Sequence, residues 1–236
     1  GKAHLDAYLE DYACLAEGLL DLSEAGGDVR FLREAAGLAE RILQDFGDEA
    51  GGFYDTAADH EALILRHKDG VDGAIPSANA VAASVLARLS HHLERGDLRE
   101  RAASAIQAYG RPMSQRPRAF CKSLAVVDFL LEGPVELALI GTPGEPGCEA
   151  LRAAIGRRYL PNRIVAHHDP AKGGAPDLPL LAGRGLVGGK AALYVCRNFT
   201  CLAPVTDPAE LARALAESPG EPAQASRSGI ARLRPG

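Results

Sequence analysis

Carboxylates at helix ends and in glycine-bearing turns are the side chains of this sequence best suited to covalent chemistry on an uncharged substrate. Asp11 stands beside Tyr12, Asp55 follows Gly51-Gly52-Phe53-Tyr54, and Asp72 opens the string Asp72-Gly73-Ala74-Ile75-Pro76-Ser77-Ala78-Asn79. Asp59, His60 and Asp69 lie between the last two. Cleaving a glycosidic bond takes two carboxylates ~5–9.5 Å apart, one to protonate the leaving oxygen and one to act as base or nucleophile. Epimerising a sugar takes a base that removes a proton next to a carbonyl, a role histidine often fills. Asp11, Asp55, Asp72 and His60 are therefore the candidate catalytic residues, with Tyr12, Phe53 and Asn79 as candidate substrate contacts. Each has a plainer reading beside it. Asp and Asn in such turns commonly accept local backbone N–H groups. Asp11 and Tyr12 can be a surface position next to a core aromatic, and His60 an exposed loop residue.

Other reactive types point to less. Cys196 and Cys201 are separated by four residues, and the first ends an expected strand; a Cys-x-x-Cys thiol at a helix N-terminus is a different arrangement. Two cysteines without a second pair make no zinc site, so the pair reads as structural thiols, with a labile disulfide across a turn as the alternative. His167-His168-Asp169 suits no shared metal, because neighbours on a strand point to opposite faces. His91-His92 can complement the C-terminal dipole of a helix. Gly141-Thr142-Pro143-Gly144 follows an expected strand but lacks the Lys-Ser/Thr of a phosphate loop, which leaves a turn. No cofactor or metal site is expected.

The elements that must position these residues follow from periodicity. Leu5, Tyr8, Tyr12, Leu15, Leu19 and Leu22 predict a helix over 5–25, which Gly26-Gly27 ends. Asp28 caps a second helix with Phe31, Leu32, Ala35, Leu38, Ile42 and Phe46 on one face, and the short link makes an antiparallel hairpin. A second hairpin starts at Ser77, turns at Arg95-Gly96-Asp97 with an Asp97/Glu100 capping box, and runs to Tyr109. A fifth helix spans 119–131. The connection over 47–76 is long for a loop and reads as an ordered excursion with a small β-hairpin, including the apolar run Leu63-Ile64-Leu65. From Gly133-Pro134 the period shifts. Strands at 135–140, 163–166 and 191–196, with helices after Cys148 and Asp207, make a small α/β unit. The expected organisation is a helical-hairpin block over 1–132, an α/β domain over 133–217 and a disordered tail over 218–236, which is rich in Pro, Gly, Ser and Ala.

Composition narrows the partners. The chain has 236 residues, a net charge of −5 and pI near 5.8, so no general basic field exists to hold nucleic acid. No apolar run of about 20 residues predicts a membrane span. Five scattered cysteines and no secretory signal point to the cytoplasm. The chain opens on Gly1 rather than Met, which fits a natural start upstream.

Taken in order, Asp11-Tyr12-Ala13, the Gly51–Thr56 string, the Asp72–Asn79 string and Tyr194-Val195-Cys196-Arg197-Asn198-Phe199-Thr200-Cys201 resemble the C-terminal region of the thioredoxin-domain-containing family that includes spermatogenesis-associated protein 20. The resemblance covers about residues 3–216. It implies an upstream thioredoxin-like domain as a partner within the same protein. It also implies a toroid of paired helices, similar to six-hairpin glycosidases and N-acylglucosamine 2-epimerases. Five helices cannot close such a ring, so the fold class is a partial (α/α) toroid followed by a small α/β domain, the C-terminal part of a larger protein. The ligand implied is a carbohydrate or small molecule held in the funnel at one end of the helices. The alternative is a non-catalytic scaffold serving the thioredoxin-like domain.

Overall fold

The computed structural model describes residues 6–60, 64–172 and 178–217. Leu5, Leu63 and the expected tail lie outside them. The described residues mix α and β structure. The helices are α1 (Leu9–Gly26), α2 (Val29–Arg41, extended by a wide π turn over Ile42–Phe46), α3 (Ala78–His92), α4 (Gly96–Gln107), α5 (Gly110–Gln115) and α6 (Cys121–Glu132). After them come β1 (Val135–Ile140), α7 (Pro146–Gly156), β2 (Arg163–His168), β3 (Ala192–Arg197), β4 (Thr200–Cys201) and α8 (Leu211–Ala216).

Sequence signals set the helix ends. Gly27 takes the left-handed conformation, φ 72°, that closes α1, and its N–H donates to the Ser23 carbonyl. The Asp28 carboxylate accepts the Arg30 N–H and starts α2. The second hairpin starts at Ser77 as expected, while the expected capping box of α4 does not form. Ser77 holds the N-cap position of α3, but its hydroxyl donates to the Asp69 carbonyl. The N-cap of α4 is Arg95, and Asp97 pairs with the Arg95 guanidinium rather than closing a capping box.

The face that α1 buries also differs from expectation. Leu15 and Leu22 stay more than half exposed, while Leu9, Ala13, Ala16, Leu20 and Ser23 are buried. Alanines in the seam bring α1 close to its neighbours, and close backbone approach outweighs the larger apolar area of the leucine stripe. The third helix is buried on nearly all sides because α1, α4 and α6 all pack against it.

Helix directions follow from their ends. The starts of α1, α3 and α6 share one rim: Leu9 N–H donates to Asp55 O, Ser77 contacts Asp69, and Lys122 N–H donates to the Asp72 carboxylate. Their far ends meet the sheet, through Gly27 beside His167, His91 beside Glu136, and Gly133 leading into β1. These three helices therefore run parallel, with α2 and α4 returning antiparallel against them.

The 47–76 connection is an ordered excursion at the rim. It holds a tight turn over Asp48–Gly52, closed by a single bridge between Gly47 and Phe53, where a β-hairpin was expected. Gly51 and Gly52 both have positive φ, and a Cβ on Gly51 would lie 2.8 Å from the Ser104 carbonyl.

The sheet order is β2-β1-β3-β4, parallel between β1 and β2 and antiparallel elsewhere. Ala138, Ile140, Ile164 and Ala166 join the helical core, while Leu137, Leu139, Val165 and Val195 pack with α7 and α8. The period-two alternation of the strands thus builds two apolar layers. Cys196 and Cys201 are register partners across β3 and β4, with Cα atoms 3.9 Å apart, and form a disulfide. This corrects the free-thiol reading: the two-residue strand β4, which returns the chain onto β3, carried no periodic signal.

Candidate functional site

Two surfaces gather chemistry. The first is a cleft of about 440 Å³ at the rim where α1 and α3 start, lined by Tyr8, Glu10, Asp55, Asp69, Ile75 and Ser77 among others. Asp55 reaches it because its backbone is fixed twice: its N–H donates to His67 O, and its carbonyl accepts the Leu9 N–H. Its carboxylate pairs with His67 Nδ1 at 2.7 Å, and the pairing raises the His67 pKa above the ordinary histidine value. His67 is thus the histidine matched to a candidate carboxylate. It sits in an Arg-His-Lys run that reads as ordinary loop charge.

The other sequence-predicted residues lie near the rim in different settings. Asp11 is in the first turn of α1, because the helix begins at Leu9, and its carboxylate accepts the Tyr8 N–H at 2.9 Å. Asp72 uses both oxygens on backbone amides, Ser77 N–H and Lys122 N–H, each at 2.9 Å. It thereby ties the start of α3 to the start of α6. His60 lies tilted against Tyr8, with ring centroids 5.4 Å apart, and its buried Nδ1 has no partner among the described residues. Tyr12 packs on Phe46 in the core. Phe53 is fully buried, and buried Asn79 clamps it: Asn79 Oδ1 accepts the Phe53 N–H, while Nδ2 donates to the carbonyls of Phe53 and Asp69. Asp55 lines the cleft; Asp11, Asp72, Phe53 and Asn79 make contacts that hold its walls.

Behind the cleft, Tyr109 fills the space under the loop. A Cβ on Gly70 would fall 2.4 Å from its ring, so glycine is what lets the chain cross there. Its buried hydroxyl has no partner among the described residues, and burial, then Asp55, Asp69 and Asp48, push its pKa up.

The second surface is larger and was not read from the sequence. A groove of about 740 Å³ runs along the shared face of α1, α3 and α6 to the loop before β2. Glu17, Asp21, Arg88, Lys122, Asp128 and Tyr159 are among its lining residues. Glu17 accepts the Ser84 hydroxyl at 3.1 Å and the Lys122 ammonium at 2.6 Å. Arg88 bridges Asp21 at 2.8 Å and Glu24 at 3.1 Å. Burial works to raise the Glu24 pKa, but the hydrogen bond with His92 and the charge of Arg88 together hold it below its ordinary value. The signal in the sequence was the polar stripe Glu17, Asp21 and Glu24 at steps of four and three, which resembles any solvated helix face.

The paired histidines also need correction. His91 and His92 are both buried and paired with carboxylates, His91 with Glu136 and His92 with Glu24, rather than serving only the helix dipole. His167 and His168 are consecutive on β2; His167 contacts Gly141 O and Arg152 on the α7 side. Gly141–Gly144 forms a turn in which Glu149 takes the Gly144 N–H. Among the described residues no group of three or more His, Cys, Asp or Glu could hold a metal ion, and no helix is long and apolar enough to cross a membrane.

No protein-family model matches the chain. It is similar to spermatogenesis-associated protein 20 of Mus musculus and of Homo sapiens, each 32% identical over 212 residues that cover 88% of this chain and 27% of the relative. An uncharacterised protein of Caenorhabditis elegans is 27% identical over 208 residues, 87% of this chain and 28% of its own. The chain thus spans about a quarter of the length of the curated relatives it matches.

Proposed function

Starting from homology to spermatogenesis-associated protein 20, we propose that the chain forms one wall of a carbohydrate-binding helical toroid of the six-hairpin glycosidase/epimerase type. The observation that carries this reading is the polar groove on α1, α3 and α6. Three parallel helices with antiparallel partners on one side and a charged, open face on the other have the arrangement of an inner row in a ring of hairpins. The face offers what a polyhydroxylated ligand needs. Glu17, Asp21 and Asp128 accept hydroxyl hydrogens, and Lys122 and Arg88 donate. Tyr159, 91% exposed, offers a ring face. At the rim, Asp55 with His67 supplies the acid–base pair, His60 lies against Tyr8 of the same cleft, Asp11 holds the start of α1, and Asp72 and Asn79 fix the loop that carries Asp55. Further hairpins, and a thioredoxin-like domain working in the cytoplasm, belong to the part of the protein beyond this chain.

A second reading has its own support. Asp11, Asp72 and Asn79 all engage backbone groups, as a scaffold serving a redox domain would require without any turnover. Saturation-transfer NMR of the chain with N-acetylglucosamine and cellobiose separates the two. Sugar binding that falls at least about tenfold in Glu17→Gln and in Lys122→Met supports the groove. Absence of transfer for both sugars, or binding untouched by both substitutions, overturns it and leaves the scaffold.

A further inference from the structure

At the opposite, sheet end of the helices lies a separate cavity of about 420 Å³, lined by Ser90, His91, Glu94, Arg95, Arg99 and Phe199, together with Gly96. Its construction is costly. Glu136 is a fully buried carboxylate on a strand, and burying such a charge is tolerated only with partners. Oε1 meets His91 Nδ1 at 2.8 Å, and Oε2 accepts the Phe199 N–H at 3.0 Å. To deliver that N–H, Asn198 and Phe199 both adopt positive φ, 48° and 62°, unfavourable for residues with a Cβ. The same turn stacks the Phe199 ring on the His91 imidazole, centroids 5.7 Å apart and 20° between planes, with Phe129 edge-on to that imidazole. The hairpin is closed by the Cys196–Cys201 disulfide.

This arrangement fixes the imidazole and leaves one polar atom open. With Nδ1 committed to Glu136, His91 Nε2 is buried and has no partner among the described residues. Arg99 is the second unspent group. It is part-buried, donates one hydrogen bond among the described residues, from Nη2 to Leu130 O, and forms no ion pair among them. The cavity also takes in the first turn of α4, whose N-cap Arg95 provides no side-chain cap, so the positive end of that helix dipole faces it. Arg95 itself is already matched by Glu40 and Asp97. Glu94 adds one negative charge to the lining and disfavours a ligand with two.

We propose that this cavity binds a small monocarboxylate with an apolar body, its carboxylate between Arg99 and the start of α4, its body against Phe199 and its polar edge within reach of His91 Nε2. Guanidinium–carboxylate pairing is among the stronger hydrogen-bonded contacts available. The one-charge limit set by Glu94 separates this ligand from phosphates. None of the residues lining this cavity lines the groove or the rim cleft, so the proposal does not rest on the carbohydrate reading.

The test uses the whole chain, labelled for histidine NMR, and benzoate as probe in alkaline buffer, with benzamide as its neutral isostere and inorganic phosphate, a dianion under those conditions. Benzoate is expected to move the His91 ring resonances saturably. Benzamide and phosphate should each bind at least about tenfold more weakly, and Arg99→Gln should weaken benzoate by about tenfold or more. Phe199→Ala, at a half-exposed position, should weaken it by about threefold or more. Benzamide or phosphate binding as well as benzoate, or no saturable movement of His91, overturns the proposal without any variant needing to fold. Undiminished benzoate affinity in a folded Arg99→Gln protein overturns it as well.

Discussion

Replacing Asn79 by alanine tests whether the rim loop is held by one amide. Asn79 is 2% exposed and makes three hydrogen bonds, at 2.7 Å from Phe53 N–H and at 2.9 and 3.1 Å to Phe53 O and Asp69 O. Asp69 O keeps the Ser77 hydroxyl when the amide is removed, so it loses little. The two backbone groups of Phe53 lose the partner that each has, in a residue with no exposure. An orphaned buried polar group costs about 1–3 kcal/mol, so the pair should cost about 3 kcal/mol in all. That is a large share of the ~5–15 kcal/mol that holds a typical domain folded. In a chain this long it corresponds to a midpoint drop of roughly 6–12 °C. Asn79→Asp should cost at least as much, because its second oxygen would face two carbonyls where an NH2 donated. Urea and thermal unfolding give the magnitude, and hydrogen exchange at the Phe53 amide gives the location. An Asn79→Ala protein within about 1 kcal/mol of wild type, or unchanged Phe53 exchange, would show that the loop is held by something other than this clamp.

Three further outcomes are expected. Thiol titration of the unfolded, unreduced chain should find three reactive cysteines, Cys14, Cys121 and Cys148, and five after reduction. Because the Cys196–Cys201 loop is short, the double serine variant should lose only about 2 kcal/mol on the chain-entropy estimate. The His67 titration, followed by NMR, should have its midpoint above the ordinary histidine value of ~6.5, and Asp55→Asn should bring it back toward that value. Since the folded-state pKa is the higher one, the pair's contribution to stability is complete below pH ~6.5 and fades as pH rises through the folded value. A His67 midpoint at or below the ordinary value, or one unmoved in Asp55→Asn, would remove Asp55 as its partner.

What the sequence disclosed and what it hid have physical causes. The Gly26-Gly27 stop, the Asp28 cap and the strands at β1 and β3 rest on local chemistry that tertiary packing did not override. The buried face of α1 was misread because a leucine stripe outscored alanines on hydrophobicity, yet close packing among parallel helices needs small side chains. Asp55 was legible beside its glycines, but its partner His67 was not, since the pair forms through a backbone return that no local pattern announces. The groove was invisible for a related reason. Glu17, Ser84 and Lys122 are 105 residues apart at the extremes, and each alone resembles a solvated position. Their convergence exists only after α3 is placed between α1 and α6.

The two ends of the helical row explain why chemistry divides between them. At the sheet end the helix termini run against β1 and β2, so a polar group there must be paired or pay for desolvation; His91 with Glu136 and His92 with Glu24 are the result. At the rim the helix starts are covered only by a loop. Their open N–H groups draw in acidic side chains, and Asp11 and Asp72 answer that demand directly. An acid recruited to cap a helix has its oxygens committed, whereas a second acid held by its own backbone keeps its carboxylate free for a side-chain partner. Asp55 is of the second kind: its backbone is anchored at both N–H and carbonyl, while its carboxylate meets an exposed loop residue and the cleft. Among Asp11, Asp55 and Asp72, it is therefore the one whose chemistry can change without unfastening a helix.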